Sequence, residues 1–192
     1  MAFVADRLYH VYNRGNNAQP LFYEERNYRF FQTKMREYLT EACDVLAYCL
    51  MPNHYHILLH THEEGLRPVS NTSTVPKLSR KLGTLQSSYT QAINKQEGRT
   101  GSLFQQKAKQ KEIEDYGFTC FQYIHHNPVK ARLCLAPEDW EFSSFNDYYR
   151  PGEETIANTA LAHQLLAIEL EPQAFYMQSR GVIRDEDLRY FL

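Results

Sequence analysis

DVLAYCLMPNHYHILLHT, residues 44–61, is the stretch on which the fold turns. Residues 44–51 are rich in apolar side chains, Pro52-Asn53 is a turn pair, and residues 54–61 again read as a strand. The segment predicts a β-hairpin. Along its second strand His54 and His56 are two apart and point to the same face. Two imidazoles on one face can share a metal ion. The spacing alone leaves the matter open, because His60 continues that face, His62 follows it, and a surface or core histidine pair is the commoner explanation of such a pattern.

Working outward, residues 9–14 read as a strand running into the turn Gly15-Asn16-Asn17. Residues 24–42 carry Tyr28, Phe31, Met35, Tyr38 and Leu39 at spacings of three and four, the helical period. After the hairpin, residues 63–76 hold Gly, Pro, Ser, Asn and Thr without period and predict a loop. The helical period returns over residues 77–96 in Leu78, Leu82, Leu85, Tyr89 and Ile93, and Gly98 follows as a stop. Residues 105–113 predict a strand with Lys107, Lys109 and Lys111 on one face. Residues 114–127 predict a helix with an acidic start and a stop at Pro128. Past Trp140 and Ser143-Ser144 lies an acidic stretch with a helix around residues 159–170. Strands alternating with helices predict an α+β fold, a ferredoxin-like antiparallel sheet with helices packed on it, over residues 1–150. A C-terminal helical extension, residues 151–192, follows.

A chain of 192 residues with 43% hydrophobic and 23% charged residues has the composition of an ordinary globular protein. It shows no apolar run near the roughly 20 residues that span a bilayer, and residues 1–10 lack a signal-peptide core. Cys43, Cys49, Cys120 and Cys134 form no C-x-x-C pair, so reduced thiols and a cytoplasmic location are expected. The net charge of −2 hides a strong asymmetry: the balance is −2 over residues 1–65, +7 over residues 66–134 and −7 over residues 135–192. A basic middle third suits phosphate contacts. Its Lys77, Arg80 and Lys81, with Lys107, Lys109 and Lys111, could track a nucleic-acid backbone while aromatics such as Tyr89 stack on bases. The plainer alternatives are a solvated helix face and a helix core.

A second constellation is Tyr123-Ile124-His125-His126-Asn127-Pro128-Val129-Lys130. On a helix Tyr123 and Asn127 are neighbours one turn apart, on the face that also carries Tyr116, Thr119 and Cys120. Phe118, Phe121 and Ile124 fall to the other side as the buried stripe, which would leave the Tyr123 hydroxyl free for chemistry. Without further context, Tyr123 reads equally as a packed aromatic and Asn127 as a helix terminator.

Taken together, five segments carry a resemblance. They are Tyr9-His10-Val11 through Arg14-Gly15-Asn16-Asn17; Leu46 through Met51-Pro52-Asn53-His54-Tyr55-His56-Ile57-Leu58-Leu59; Gly101 through Gln105; residues 123–131; and Glu138-Asp139-Trp140 with Ser143-Ser144. In this order they resemble the REP-associated tyrosine transposases, relatives of the IS200/IS605-type single-tyrosine transposases in the His-hydrophobe-His endonuclease superfamily. The resemblance implies Tyr123 as nucleophile and His54, His56 and Asn127 as ligands of Mg²⁺ or Mn²⁺. Tyr55 takes the hydrophobe position, where its hydroxyl calls for a hydrogen-bond partner. The implied reaction is nicking and rejoining of single-stranded or hairpin DNA through a 5′-phosphotyrosine, by a monomer or a homodimer. An unperturbed phenol is only about 0.1% ionised at pH 7, so a nearby cation, Lys107, Lys109 or Lys111, is expected to assist. Two other readings stand beside this one: a non-catalytic nucleic-acid-binding protein derived from a transposase, and a zinc hydrolase built on the histidine pair.

Overall fold

The computed structural model of the chain describes residues 3–70, 72–152 and 155–181. Four strands, β1 (Leu8–Arg14), β2 (Asp44–Met51), β3 (His54–His60) and β4 (Lys109–Ile113), form one sheet in the order β2-β3-β1-β4, with every neighbouring pair antiparallel. The helices are α1 (Glu25–Leu39), α2 (Glu63–Leu66), α3 (Lys77–Gln96), α4 (Gly117–Lys130), α5 (Phe145–Tyr149), α6 (Thr159–Leu166) and α7 (Pro172–Ser179). This is the expected ferredoxin-like α+β arrangement.

The period of two along the strands divides the molecule into two cores. Tyr9, Val11, Tyr55, Ile57 and Leu59 meet the apolar stripes of α1 (Tyr28, Phe31, Met35, Leu39) and α3 (Leu78, Leu82, Leu85, Tyr89, Ile93). The Asn27 side chain joins the two helices: its oxygen accepts from the Tyr23 and Glu24 amides at the start of α1, and its Nδ2 donates to Gln96 Oε1 at 2.8 Å. Tyr55 is fully buried, and its hydroxyl accepts from Gln86 Nε2 of α3 at 2.7 Å, the partner its position calls for.

On the other side of the sheet, Leu46, Ala47, Cys49, Met51 and Leu58 pack with Cys120, Tyr123 and Ile124 of α4. A register shift between Val45 and Ala47 accompanies the placing of both Leu46 and Ala47 in this second core. Phe121 and His125 of α4 turn away from the sheet toward Tyr148, Phe145 and Phe175 of α5 and α7. The C-terminal helices thus bury the outer side of α4. The segment around Trp140-Ser144 covers the outer edge of β2: Leu50 N–H donates to the Phe142 carbonyl at 2.9 Å, and the Trp140 indole donates to the Leu50 carbonyl at 3.0 Å. Ser144 Oγ accepts from the Tyr48 amide at 2.8 Å and lies 2.8 Å from His125 Nε2, so it ties the sheet edge to α4.

Several boundaries differ from the sequence reading, among them the end of α1, expected at residue 42 and found at Leu39. The strand expected over residues 105–113 begins only at Lys109, because the Asn13 side chain takes the Gln106 carbonyl at 2.7 Å and interrupts the ladder. Lys107 therefore lies in a bend before the strand. The helix expected to stop at Asn127 starts later, with Tyr116 at its N-cap position, and runs through Pro128 to Lys130. Pro128 has no N–H for the Ile124 carbonyl. The last turn closes nonetheless, with Leu133 N–H on the Pro128 carbonyl, Arg132 N–H on the Val129 carbonyl (both 2.9 Å), and Arg132 in the left-handed region at φ 59°. The expected loop holds one helical turn, α2, and the helix expected over residues 159–170 ends at Leu166, where Ala167 turns left-handed. The expectations for residues 153–154 and 182–192 lie outside the described residues.

Replacing Tyr55 with Phe should destabilise the protein by about 1 kcal/mol, the cost of leaving the Gln86 amide without its acceptor. Urea unfolding would measure it; an unchanged midpoint would show that the Tyr55–Gln86 bond carries no stability.

Candidate active site: a histidine and tyrosine cleft

Adjacent strands build the site. His54 pairs with Arg14 and His56 with Tyr12 across β3 and β1, while Tyr12 and His10 pair with Lys109 and Lys111 across β1 and β4. All share the face toward α4. The rings of His54 and His56 are 5.0 Å apart, as are those of His10 and His56. Tyr123 meets them edge-on from α4, 5.5 Å from His56 and 6.0 Å from His10. A cleft of about 400 Å³ opens beside them, lined by Tyr12, Asn13, Arg14, Asn53, His54, Tyr55, His56, Gln105, Gln106, Lys107, Lys109 and Tyr123.

The structure thus gathers His54, His56, Tyr123, Lys107 and Lys109 at one cleft, with Lys111 two residues further along β4 on the same face. Asn127 does not line it: its Nδ2 donates to the Tyr123 backbone carbonyl at 2.8 Å, which leaves the amide oxygen as the atom able to ligate. His60 and His62 are excluded from the cleft. His60 sits at the far end of β3 with its Nδ1 3.7 Å from Asp44, and His62 caps α2 by accepting from the Gly65 amide. Lys77, Arg80 and Lys81 belong to α3, on the opposite face of the sheet, where Lys81 pairs with Glu41 at 2.7 Å. Tyr89 is core, fully buried with its hydroxyl donating to the Leu21 carbonyl, and so is no stacking platform. Tyr123 departs from expectation too. It is only 5% exposed, because the C-terminal helices cover the Phe121 side of α4 and the sheet covers the Tyr123 side.

Burial sets the electrostatics. It pushes His10 down to about 3 and His54 to about 4, with Lys111 and Arg14 adding to the respective shifts, and it holds His56 well below the ordinary histidine range. The three imidazoles are neutral at neutral pH. The same burial raises the Tyr123 phenol, which a hydrogen bond from Asn127 partly opposes. The ammonium of Lys130 lies 5.5 Å from the centre of the Tyr123 ring. His10 and Lys130 are neighbours of this cluster to which the sequence reading gave no role. Their signals were present: His10 is two residues from Tyr12 on one strand face, and Lys130 is seven residues, close to two helical turns, after Tyr123.

Among the described residues no group of three or more His, Cys, Asp or Glu side chains is arranged to hold a metal ion. His54 and His56 could supply two ligands. His54 Nδ1 lies 2.7 Å from Asn53 Oδ1, an oxygen that only accepts, so Nδ1 carries the hydrogen and Nε2 the lone pair. His56 Nδ1 is engaged by His10 Nε2 at 2.8 Å, which leaves its Nε2 as the second ligating nitrogen. Any remaining ligands would be oxygens.

A ferredoxin-like sheet with a histidine and tyrosine cleft on its α4 face defines the class. Among solved structures, the chain has the fold of a REP-associated tyrosine transposase determined bound to a REP hairpin. The TM-score is 0.58 at 19% sequence identity, and the match covers 81% of this chain and 87% of that one. The fold agrees with the resemblance carried by the motifs. No protein-family model matches the chain, and no curated protein matches it in sequence. No helix among the described residues is long and apolar enough to cross a membrane.

The buried histidines give the fold a pH signature. An unfolded histidine takes a proton near 6.5, whereas folded His10 and His125 resist protonation down to about 3 and His54 to about 4. Between those limits the unfolded state binds more protons. Their contribution to stability is therefore complete above about 6.5 and falls with pH below it, by roughly 1.4 kcal/mol per pH unit for each such histidine. The urea midpoint should drop steeply between about pH 6.5 and pH 5; a flat midpoint across that interval would show that these imidazoles are not buried and neutral.

Proposed function

We propose that this chain is a metal-dependent enzyme that nicks and rejoins single-stranded DNA, of the transposase type, with Tyr123 as nucleophile. The observation that carries the reading is the Tyr123 ring set edge-on against His56 and His10 at the wall of a basic cleft. The fold shared with a transposase determined bound to a REP hairpin supports hairpin-forming DNA as the substrate class.

In this reading Arg14, Lys107 and Lys109 hold the phosphodiester backbone at the cleft. His54 and His56, with the Asn127 amide oxygen, are the residues that would hold Mg²⁺ or Mn²⁺, which supplies charge neutralisation of the scissile phosphate. The Tyr123 oxygen attacks the phosphorus. Its bond to phosphorus forms as the bond to the 3′-oxygen breaks, the phenolic proton leaves, and the 3′-oxygen gains a proton to become a hydroxyl. The product is a 5′-phosphotyrosine, and attack by a 3′-hydroxyl reverses the step. Because Tyr123 stands beside the histidines of its own chain, the geometry favours attack in cis. Burial disfavours the phenolate; Lys130, over the ring, acts against that. The deep burial of Tyr123 is also the observation that favours the second reading, a nucleic-acid-binding protein derived from a transposase and lacking catalysis.

A denaturing gel of protein incubated with single-stranded hairpin DNA and Mn²⁺ separates the two. The wild type should form a covalent adduct, Tyr123→Phe none, and Tyr116→Phe as much as the wild type, since Tyr116 lies exposed at the α4 N-cap. His54→Ala and His56→Ala should each lose divalent-ion-dependent cleavage while still folding. No adduct with any substrate would favour the binding protein; an adduct from Tyr123→Phe would show that the nucleophile is another residue. Lys130→Met should cleave more slowly at neutral pH, with the deficit shrinking as the pH rises toward the phenol's own range. A deficit independent of pH would assign Lys130 to DNA binding instead.

A further inference from the structure

We infer that His10 is a positioning residue for His56, fixing by one imidazole-to-imidazole hydrogen bond which nitrogen of His56 faces the cleft. The inference rests on the metal reading above and adds to it a residue that neither the motifs nor the fold assigns. His10 Nε2 lies 2.8 Å from His56 Nδ1, both side chains are buried, and the rings stack 5.0 Å apart at 22°. One of these two nitrogens donates and the other accepts. Only the arrangement with the hydrogen on His56 Nδ1 leaves a lone pair on His56 Nε2, so His10 must be the acceptor.

Such a partner is ordinarily a carboxylate or a backbone carbonyl. For His54 it is an amide oxygen, that of Asn53. A neutral imidazole at His10 does the same work in a place where a carboxylate would have to be buried: His10 is completely covered, between β3, β4 and α4. It also touches the Tyr123 ring edge-on, so one side chain positions both the ligand and the ring of the nucleophile. The fold fixes this contact through register, because His10 pairs with Leu58, two residues from His56 on the same face of β3.

Two substitutions separate the hydrogen bond from the packing. His10→Phe keeps a ring against Tyr123 and removes the acceptor, whereas His10→Gln places an amide oxygen near the position of Nε2. Mn²⁺ titration of the full chain without DNA, followed by electron paramagnetic resonance of the free ion, reads the effect without any cleavage. We expect about 10- to 100-fold weaker binding for His10→Phe, the usual cost of losing such a partner, and near wild-type binding for His10→Gln. Long-range proton–nitrogen spectra of the imidazoles supply a second readout: His56 of the wild type should carry its hydrogen on Nδ1. Equal Mn²⁺ binding by the wild type and His10→Phe, or a wild-type His56 protonated on Nε2, overturns the role given to His10. Should His10→Phe fail to fold, the wild-type spectra and the His10→Gln titration decide. A wild type that binds no Mn²⁺ overturns the metal reading itself, and a wild type that binds it while His56→Ala binds equally well places the ion elsewhere.

Discussion

The alternation of β3 is the constraint on which the remaining architecture depends. As an interior strand, β3 has a helical layer on each side, and successive residues must satisfy different surroundings. Tyr55, Ile57 and Leu59 feed the core under α1 and α3, while His54, His56 and Leu58 face α4. A slip of one residue would place imidazoles in the larger apolar core and leave Tyr55 without Gln86. The histidine pair is therefore held in place by the apolar residues between and beyond it, and the tight turn at Pro52-Asn53 holds the same register from the other end. Gly15 N–H donates to the Asn53 carbonyl there at 2.8 Å, and the Asn53 side chain orients His54.

Burial acts on the two kinds of reactive group in opposite senses. It keeps His10, His54 and His56 neutral, the state in which an imidazole can ligate or accept a hydrogen bond. On Tyr123 it favours the phenol, the less nucleophilic form. The extra turn that carries α4 past Pro128 sets the Lys130 ammonium 5.5 Å from the centre of the Tyr123 ring. The proline that was expected to end the helix instead lies inside the turn that delivers the lysine.

The basic middle third of the chain does not form a single surface. Lys107 and Lys109 stand at the cleft with Arg14, a residue from outside that third, while Lys77, Arg80 and Lys81 lie on the helix layer across the sheet. The charge excess over residues 66–134 is real, but the sheet separates its parts. The run through Trp140 and Ser144 has a structural task, closing the edge of β2 and anchoring α4 through His125, and it does not line the cleft.

The sequence by itself determined the elements whose signals are periodic and local. The helical stripes of α1 and α3, the hairpin about Pro52-Asn53 and the shared face of His54 and His56 all follow from side-chain spacing on a regular backbone. Motif order then carried the pairing of that histidine face with Tyr123. Spacing could not reveal what depends on partners far along the chain. The start of β4 is set by the Asn13 side chain, the burial of Tyr123 by strands far earlier in the chain, and the continuation of α4 through Pro128 by packing and C-terminal hydrogen bonds that outweigh a local preference. Strand pairing and helix docking alone bring His10 and Lys130 within reach of His56 and Tyr123. Desolvation decided the rest: how far an imidazole or a phenol is shifted depends on how much water its neighbours exclude, and those neighbours are assembled only by the tertiary fold.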